Sequence, residues 1–195
     1  MNARGFVVLP GQGPVWNMAP GRWATLKLQS GETAESVMMF EEAAPSGTVT
    51  NFHLHRDSDE VAYVLSGEVK FKIGDQVIVG GPGTCAFIPR GVAHAWKSTG
   101  AETGRVLFIF TPAEAGKAFE ELQQLQCPVG SMAAPVFQRH GAEVVGPPPF
   151  RSIGHFAFGD CPRAGFRGNA VPPSASPVRS ALQGTRPVRI VGTSE

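Results

Sequence analysis

Between residues 24 and 110 the chain consists of short β-prone runs separated by turn residues, and this pattern restricts its fold more than any other feature. Residues 69–73 (VKFKI) alternate apolar and basic side chains, which is typical of a half-buried strand. Gly74-Asp75 directly after them predicts a hairpin. The chain carries 24 Gly and 17 Pro among 195 residues, well above the average combined share of roughly 12%. The predicted strands are 24–28, 36–40, 48–55, 61–65, 69–73, 76–79, 84–88, 93–97 and 105–110. Many short strands at near-regular spacing favour an all-β antiparallel barrel or sandwich.

One helix is predicted after the last strand. Thr111-Pro112-Ala113-Glu114 has the form of a capping box with proline at the first helical position. Apolar residues then recur at helical spacing as far as Leu125, and Pro128 ends the pattern. We therefore expect a helix over residues 111–126 that covers the barrel. Because no helical pattern separates the earlier strands, a parallel sheet with crossover helices is excluded.

Charge is distributed unevenly along the chain. Residues 150–195 contain six Arg and two acidic residues, whereas residues 1–149 contain eleven basic and fourteen acidic residues. The last segment is also rich in Pro and Gly and lacks periodicity, so we expect it to be disordered. The boundary falls at the Pro147-Pro148-Pro149 run, which gives a domain over 1–149, with its core at about 20–126, and a basic tail over 150–195. The tail is interpreted either as an arm for an anionic partner or as an extension without a role.

Composition also narrows the classes of partner and location. The net charge of +1 gives no reason to expect binding to nucleic acid or to an anionic membrane. The central apolar run of residues 106–110 is too short to span a bilayer, and the N-terminus lacks a secretory segment. Three widely spaced cysteines predict no disulfide framework, and Cys85 is expected to be a small core residue. We therefore expect a cytoplasmic protein.

Three of the five histidines lie in the strand-rich region together with one well-placed carboxylate. His53 and His55 are two positions apart on a predicted strand, so their side chains face the same way. Glu60 opens the next strand, and His94 follows a Pro-Arg-Gly turn at the start of a later one. Three imidazoles and a carboxylate suit one divalent transition metal (Fe, Mn, Ni, Cu or Zn) and are too rich in nitrogen for Ca or Mg. We predict that His53, His55, Glu60 and His94 converge on one such ion.

Other polar residues near these four are interpreted differently. Asp57 and Asp59 lie between His55 and Glu60 and are interpreted as solvated loop residues. His140 precedes Gly141 and is interpreted as part of a helix C-cap.

The spacing of the candidate ligands resembles the two sequence motifs of the cupin family. The first motif is matched at Gly47, His53, His55, Glu60 and Gly67, and the second at Gly83, Pro89, Gly91 and His94. The second motif departs from the family at its end, where Ser98 stands in place of Asn. The resemblance covers roughly residues 20–149 and is greatest to small bacterial single-domain cupins of the quercetin-dioxygenase-like type. It implies an antiparallel jelly-roll barrel closed by a C-terminal helix, the four metal ligands named above, and a homodimer.

Strand alternation also indicates which side chains line a pocket beside the metal. Asn51 lies on the same face as His53, and Trp96 on the same face as His94. Phe40 and Phe108 are further candidates from neighbouring strands. We expect these four residues to bind a small organic substrate of apolar or aromatic character. For Phe40 and Phe108 the alternative is that they are ordinary core residues.

The resemblance implies a metal-dependent dioxygenase, similar to quercetinases, that acts on a small chelating substrate. Glu60 is then either a metal ligand or the catalytic base. Two alternatives stay open, namely a cupin that binds a metal or small ligand without turnover and a metal-dependent isomerase. Lys70 and Lys72 alternate with apolar residues and are expected to face solvent, so they offer no phosphate site. Strands around residues 23–28 are expected to pair across a two-fold axis in the homodimer.

Overall fold

The computed structural model describes residues 5–126, 128 and 133–150, in which two antiparallel β-sheets face each other as a jelly-roll barrel. The strands are β1 (Val15–Ala19), β2 (Arg22–Leu28), β3 (Met38–Ala44), β4 (Phe52–His55), β5 (Asp59–Ser66), β6 (Val69–Ile73), β7 (Gln76–Gly80), β8 (Cys85–Ile88), β9 (His94–Ser98), β10 (Gly104–Thr111) and β11 (Ala142–Gly146). One sheet has the order β1-β2-β3-β10-β5-β8 and the other β11-β4-β9-β6-β7. The helices are α1 (Lys117–Leu125) and α2 (Ala134–Arg139), with a short 3-10 helix at Ser30–Glu32. The predicted all-β jelly roll is therefore confirmed.

The hairpin of β6 and β7 forms where the sequence predicts it. Val69 and Phe71 are buried, and Lys70 and Lys72, which alternate with them, belong to the opposite face. Lys72 lies on that outer face with its Nζ 5.4 Å from the ring centroid of Phe52. The alternation of residues 69–73 thus sets which face of this sheet is buried.

Two edge strands escape sequence analysis. Strand β1 pairs with β2 and buries Trp16 and Met18, and β11 pairs with β4. Within the chain, β1 covers one edge of β2 and β3 covers the other. The homodimer expected around residues 23–28 stays a prediction. The prediction that Cys85 is a core residue is wrong. Side chains alternate along β8, so Ala86 and Ile88 face inward and Cys85 is exposed.

The predicted capping box at residues 111–114 does not form, and α1 begins only at Lys117. Thr111 is the last residue of β10, where it pairs with Asp59 and its Oγ1 donates to the carbonyl of Ser36 at 3.1 Å. Continued strand pairing therefore outweighs the local helix signal. Glu114 instead forms an ion pair with Lys117 at 2.9 Å.

The other helix predictions agree with the structure. Helix α1 ends at Leu125 and buries Ala118 and Leu122. Helix α2 ends before His140-Gly141, and Gly141 has a φ of +78°, which confirms the C-cap interpretation.

An aromatic core fills the barrel between the sheets and α1. Phe40 lies 5.2 Å from Phe108 and 4.3 Å from Phe119 of α1, measured between ring centroids. Phe110 also packs on Phe119 at 5.6 Å. Burying each such side chain stabilises the fold by about 2–3 kcal/mol. Phe110 also contacts the ring of His55 at 5.2 Å, so the core extends to the histidine-rich region.

Some predictions concern residues that the structure does not describe. The tail from residue 151 onward, Cys127 and Cys161 lie outside the described residues. No helix within the described part of the chain is long and apolar enough to cross a membrane.

Candidate metal centre

The structure brings together all four side chains that the sequence predicts as ligands. His53 and His55 lie on β4, Glu60 on β5 and His94 on β9. One potential ligand atom from each residue lies within 4.8 Å of all the others. His53 pairs directly with His94 across β4 and β9, whereas Glu60 belongs to the opposite sheet. The cluster therefore spans the space between the two sheets.

Backbone hydrogen bonds set the protonation of two of the imidazoles. Nδ1 of His53 donates to the carbonyl of Asn51 at 2.9 Å, and Nδ1 of His94 donates to the carbonyl of Val92 at 3.1 Å. A carbonyl only accepts, so the proton of the neutral ring lies on Nδ1 in both residues. This leaves Nε2 of His53 with its lone pair, as a metal ligand requires. Nε2 of His94 faces the Glu60 carboxylate at 3.1 Å, and a carboxylate only accepts, so this nitrogen carries a proton that it must lose before it binds a metal.

The third imidazole is oriented differently. Nε2 of His55 lies 3.0 Å from Oε2 of Glu60, and the same oxygen lies 3.1 Å from Nε2 of His94. Nδ1 of His55 is buried and has no hydrogen-bond partner among the described residues. Packing against Phe110, with the rings at 84°, therefore orients this side chain.

Electrostatics keep the carboxylate charged and one imidazole neutral. Burial alone would raise the pKa of Glu60, but His94 and His55 outweigh it and hold that pKa below its ordinary value. Burial opposes a charge on His94, but the Glu60 carboxylate outweighs it and raises the pKa of His94. Burial, followed by repulsion from His94 and His55, lowers the pKa of His53 to about 3. His53 is therefore uncharged at neutral pH.

The donor set fits a divalent transition metal. Two buried imidazoles share one carboxylate oxygen beside a third, partly exposed imidazole. Polar ring atoms in such a site are poorly supplied with water, which costs free energy. An ion such as Fe, Mn, Ni, Cu or Zn accepts nitrogen and oxygen ligands together and removes that cost. His53 is the partly exposed member of the four, so the cluster can be reached from its side.

A hydrogen-bonded turn fixes the second motif against the first. The amide of Gly91, which has a φ of +77°, donates to the carbonyl of His55 at 2.7 Å. The backbone amide, Nε and Nη2 of Arg90 all donate to the carboxylate of Asp59, at 2.9–3.1 Å. These hydrogen bonds lower the pKa of Asp59 to about 2. Asp59 is therefore an ion-pair residue that anchors the turn before His94, and its interpretation as a solvated loop residue is wrong.

The four residues predicted to bind substrate occupy different environments. Trp96 is buried beside Phe108, with ring centroids 5.5 Å apart. Phe40 and Phe108 are both part of the aromatic core. Asn51 has an exposed side chain and contributes its carbonyl to His53. Their assignment to a substrate pocket stays a prediction.

Sequence analysis missed a buried ion pair on the inner wall of the barrel. Nε of Arg22 donates to Oε1 of Glu42 at 2.7 Å, with side-chain exposures of 13% and 2%. The signal was present, because Glu42 lies two positions after the buried Phe40 and Arg22 two before the buried Ala24. Because both residues are charged, the sequence alone favours an outward orientation. The ion pair between them offsets the free energy that burying each charge costs.

Comparisons with known proteins agree with the fold. Residues 39–110 match the family described as Cupin domain, a segment that contains all four cluster residues. KdgF from Halomonas sp. is similar with a TM-score of 0.50 and 17% identity, over 56% of this chain and 94% of that chain. An RmlC-like cupin from Shewanella frigidimarina has a TM-score of 0.47 and 18% identity, over 58% and 96% of the two chains.

A predicted oxalate decarboxylase from Thermotoga maritima has a TM-score of 0.45 and 20% identity, over 46% of this chain and 79% of that one. No curated protein sequence matches significantly. The matched domain and the shared fold support a small cupin. Sequence identities this low indicate a common fold and do not indicate a common activity.

Proposed function

We propose that this protein is a metal-dependent dioxygenase that acts on a small chelating organic substrate. The observation that carries the proposal is the convergence of three imidazoles and one carboxylate, with His53 partly exposed. Four protein ligands leave positions for exogenous molecules on an ion that prefers six. When bound, such an ion would supply Lewis acidity toward a chelating substrate, and a redox-active ion of this group, unlike Zn, would also supply redox activity toward dioxygen.

The residues of the chain contribute binding, orientation and proton chemistry. His53, His55, His94 and Glu60 would hold the ion, and the carbonyls of Asn51 and Val92 would orient two of the rings. Glu60 is ionised and lies within the cluster, so it is also the group able to take a proton from a hydroxyl of an incoming substrate. Phe110 packs against His55 and keeps water from that side.

Metal analysis of protein purified without chelator tests the site. The wild type should contain one equivalent of a divalent transition metal, whereas His53→Ala and His94→Ala should lose it because a ligand is missing. His140→Ala is the matched control, because His140 bonds Glu114 and Glu121 beside the helices instead. Full metal occupancy in the His53→Ala protein would show that the site is assigned wrongly.

Oxygen consumption tests the reaction. Screening with catechols, flavonols and diketones should reveal oxygen uptake coupled to substrate loss in the wild type and in His140→Ala, but not in His53→Ala. Stoichiometric metal without uptake on any of these substrate classes would overturn the dioxygenase proposal and favour a non-catalytic metal-binding cupin.

A further inference from the structure

The buried ion pair of Arg22 and Glu42 lies on the inner face of the sheet that also carries Glu60 of the metal centre. The guanidinium Cζ of Arg22 lies 5.6 Å from the ring centroid of Trp96, within the range of a cation–π contact. Trp96 follows His94 by two positions on β9 and shares its face, and two residues of a strand span roughly 7 Å. The guanidinium therefore contacts the side chain that neighbours His94 on the inward face of β9.

The guanidinium has unused hydrogen-bonding capacity. Nε donates to Glu42, but neither Nη group donates a hydrogen bond to any residue in the described ranges. Two adjacent N–H groups of a guanidinium match the two oxygens of a carboxylate. Glu42 and Trp96 already hold the side chain in place, so little conformational entropy remains to be lost when a ligand binds.

The net charge of the Arg22–Glu42 pair also restricts the charge of a ligand that can bind there. Burial raises the pKa of Glu42. Arg22 opposes this rise, and the negative charge of Glu60 adds to it, so the carboxylate of the pair and the carboxylate of the cluster repel each other. A pair with a net charge near zero favours a monoanion over a dianion such as a phosphate monoester.

We propose that Arg22 binds a carboxylate at one end of a ligand whose other end reaches the metal centre. The substrate class is then a small aromatic carboxylic acid that also carries a metal-chelating group. This inference rests on the proposed metal-dependent function and deepens it. Its structural alternative is that the ion pair only stabilises the barrel.

Two probes that differ only by a carboxylate test the proposal. Catechol and 3,4-dihydroxybenzoate share a chelating group, and the visible spectrum of the Co²⁺-loaded full-length protein reports their binding. The wild type should bind 3,4-dihydroxybenzoate about tenfold more tightly than catechol, as expected for a charge-assisted hydrogen bond. Arg22→Gln should abolish this preference, and Arg22→Lys should keep part of it.

Two further variants complete the test. Lys27→Gln is the matched control on the same strand, since Lys27 donates to the carbonyl of Gln12 on the outside, and it should keep the full preference. If Arg22→Gln does not fold, Arg22→Gln with Glu42→Gln removes both charges and should also lose the preference.

The possible outcomes separate this inference from the proposed function. An unchanged preference in Arg22→Gln at unchanged Co²⁺ content would overturn the role of Arg22 and leave the metal centre intact. Failure of the wild type to take up Co²⁺ would overturn the metal function instead. In that case, tryptophan fluorescence of the metal-free protein with 3-phenylpropanoate decides on Arg22: binding that is lost in Arg22→Gln supports the carboxylate site, and no binding refutes it.

Discussion

At the residue scale, the ion pair of Asp59 and Arg90 acts on geometry more than on stability. Both side chains are partly exposed, so the pair itself stabilises the fold little. Its position matters because Asp59 precedes Glu60 and Arg90 lies in the turn before His94. The pair therefore links the element that carries the carboxylate to the element that carries the third imidazole.

Removing this link should weaken metal binding without unfolding the barrel. Asp59→Ala is expected to lower the affinity for a divalent metal about tenfold, as for other residues that orient ligands. A competition titration against a chromophoric chelator measures the effect, and thermal unfolding should stay nearly unchanged. Asp57→Ala, two residues earlier in the chain, is the control, since Asp57 makes no hydrogen bond to Arg90 in the described structure. Equal affinities of the two variants would contradict the positioning role.

The pair of Arg22 and Glu42 predicts strong non-additivity. Arg22→Met leaves a buried carboxylate without its partner and should cost about 3–5 kcal/mol in the free energy of unfolding. The double variant Arg22→Met/Glu42→Leu removes both charges and should cost less than the two single variants combined. Urea unfolding of the three variants measures this coupling, and additive costs would mean that the two side chains do not interact.

The same pair predicts a pH dependence. The pKa of Glu42 is already raised, and Arg22→Met removes the group that opposes the rise. The folded state then binds the proton more tightly than the unfolded state, so the free energy of unfolding falls as pH rises above the ordinary pKa of a glutamate. Arg22→Met should therefore be destabilised more at pH 7 than at pH 5, measured by urea unfolding, whereas Arg22→Met/Glu42→Leu should show no such added slope.

These residues also mark what sequence could predict of the site. The four ligands follow from local rules, because two-residue alternation and fixed motif spacing place each of them on its strand. Arg90 and Asp59 are 31 positions apart, and Arg22 and Glu42 are 20 apart. Such contacts depend on which strands become neighbours, and no local pattern in one sequence contains that information.

At the element scale, pairing between strands decides the boundaries. The strands of the central barrel follow their alternation, whereas β1 and β11 are edge strands whose assignment depends on a neighbouring strand being present. Helix α1 begins late for the same reason, because β10 pairs with both β3 and β5 and holds Thr111 in the sheet. Local propensity predicted the central strands and α1, whereas tertiary pairing set their ends and formed the edge strands.

Gly67 and Gly83 allow the effect of backbone strain to be distinguished from the effect of a steric clash. Gly67 and Gly83 have φ values of +80° and +90°, so alanine is strained at both. A Cβ at Gly67 would lie 2.7 Å from Cα of Gly104, whereas a Cβ at Gly83 meets nothing within 4 Å. Gly67→Ala should therefore destabilise by about 1–3 kcal/mol more than Gly83→Ala in urea unfolding. Equal losses would show that β5 and β10 move apart easily at this point.

At the scale of the whole molecule, the candidate centre and its support lie within the first 146 residues. Every described strand lies between Val15 and Gly146, and all four candidate ligands lie on these strands. Deleting residues 150–195 should therefore leave the melting temperature and the metal content nearly unchanged. Differential scanning calorimetry and metal analysis check this, and a drop of many degrees would show that the tail packs on the barrel.

The homodimer stays a prediction, and a second sheet edge offers another contact for it. Strand β7 ends its sheet and exposes three adjacent apolar side chains, namely Val77, Ile78 and Val79, each at least half exposed. An uncharged edge strand of this kind favours pairing with a second copy. Sedimentation velocity at tens of micromolar should show a dimer for the wild type and a monomer for Ile78→Lys. Phe87→Lys on β8 is the control, and loss of the dimer only in that variant would place the contact elsewhere.

The cluster of His53, His55, Glu60 and His94 has a consequence for what the stability of the barrel depends on. Glu60 and His94 are 34 positions apart in the chain, so one ion held by both would close a large loop in the unfolded polypeptide. By loop-closure entropy, a cross-link of that span contributes on the order of 4 kcal/mol against unfolding. Unlike a disulfide, this cross-link would be removable, because it depends on the free concentration of the ion. The free energy of unfolding would then depend on the supply of metal in the surroundings as well as on the packing of the core.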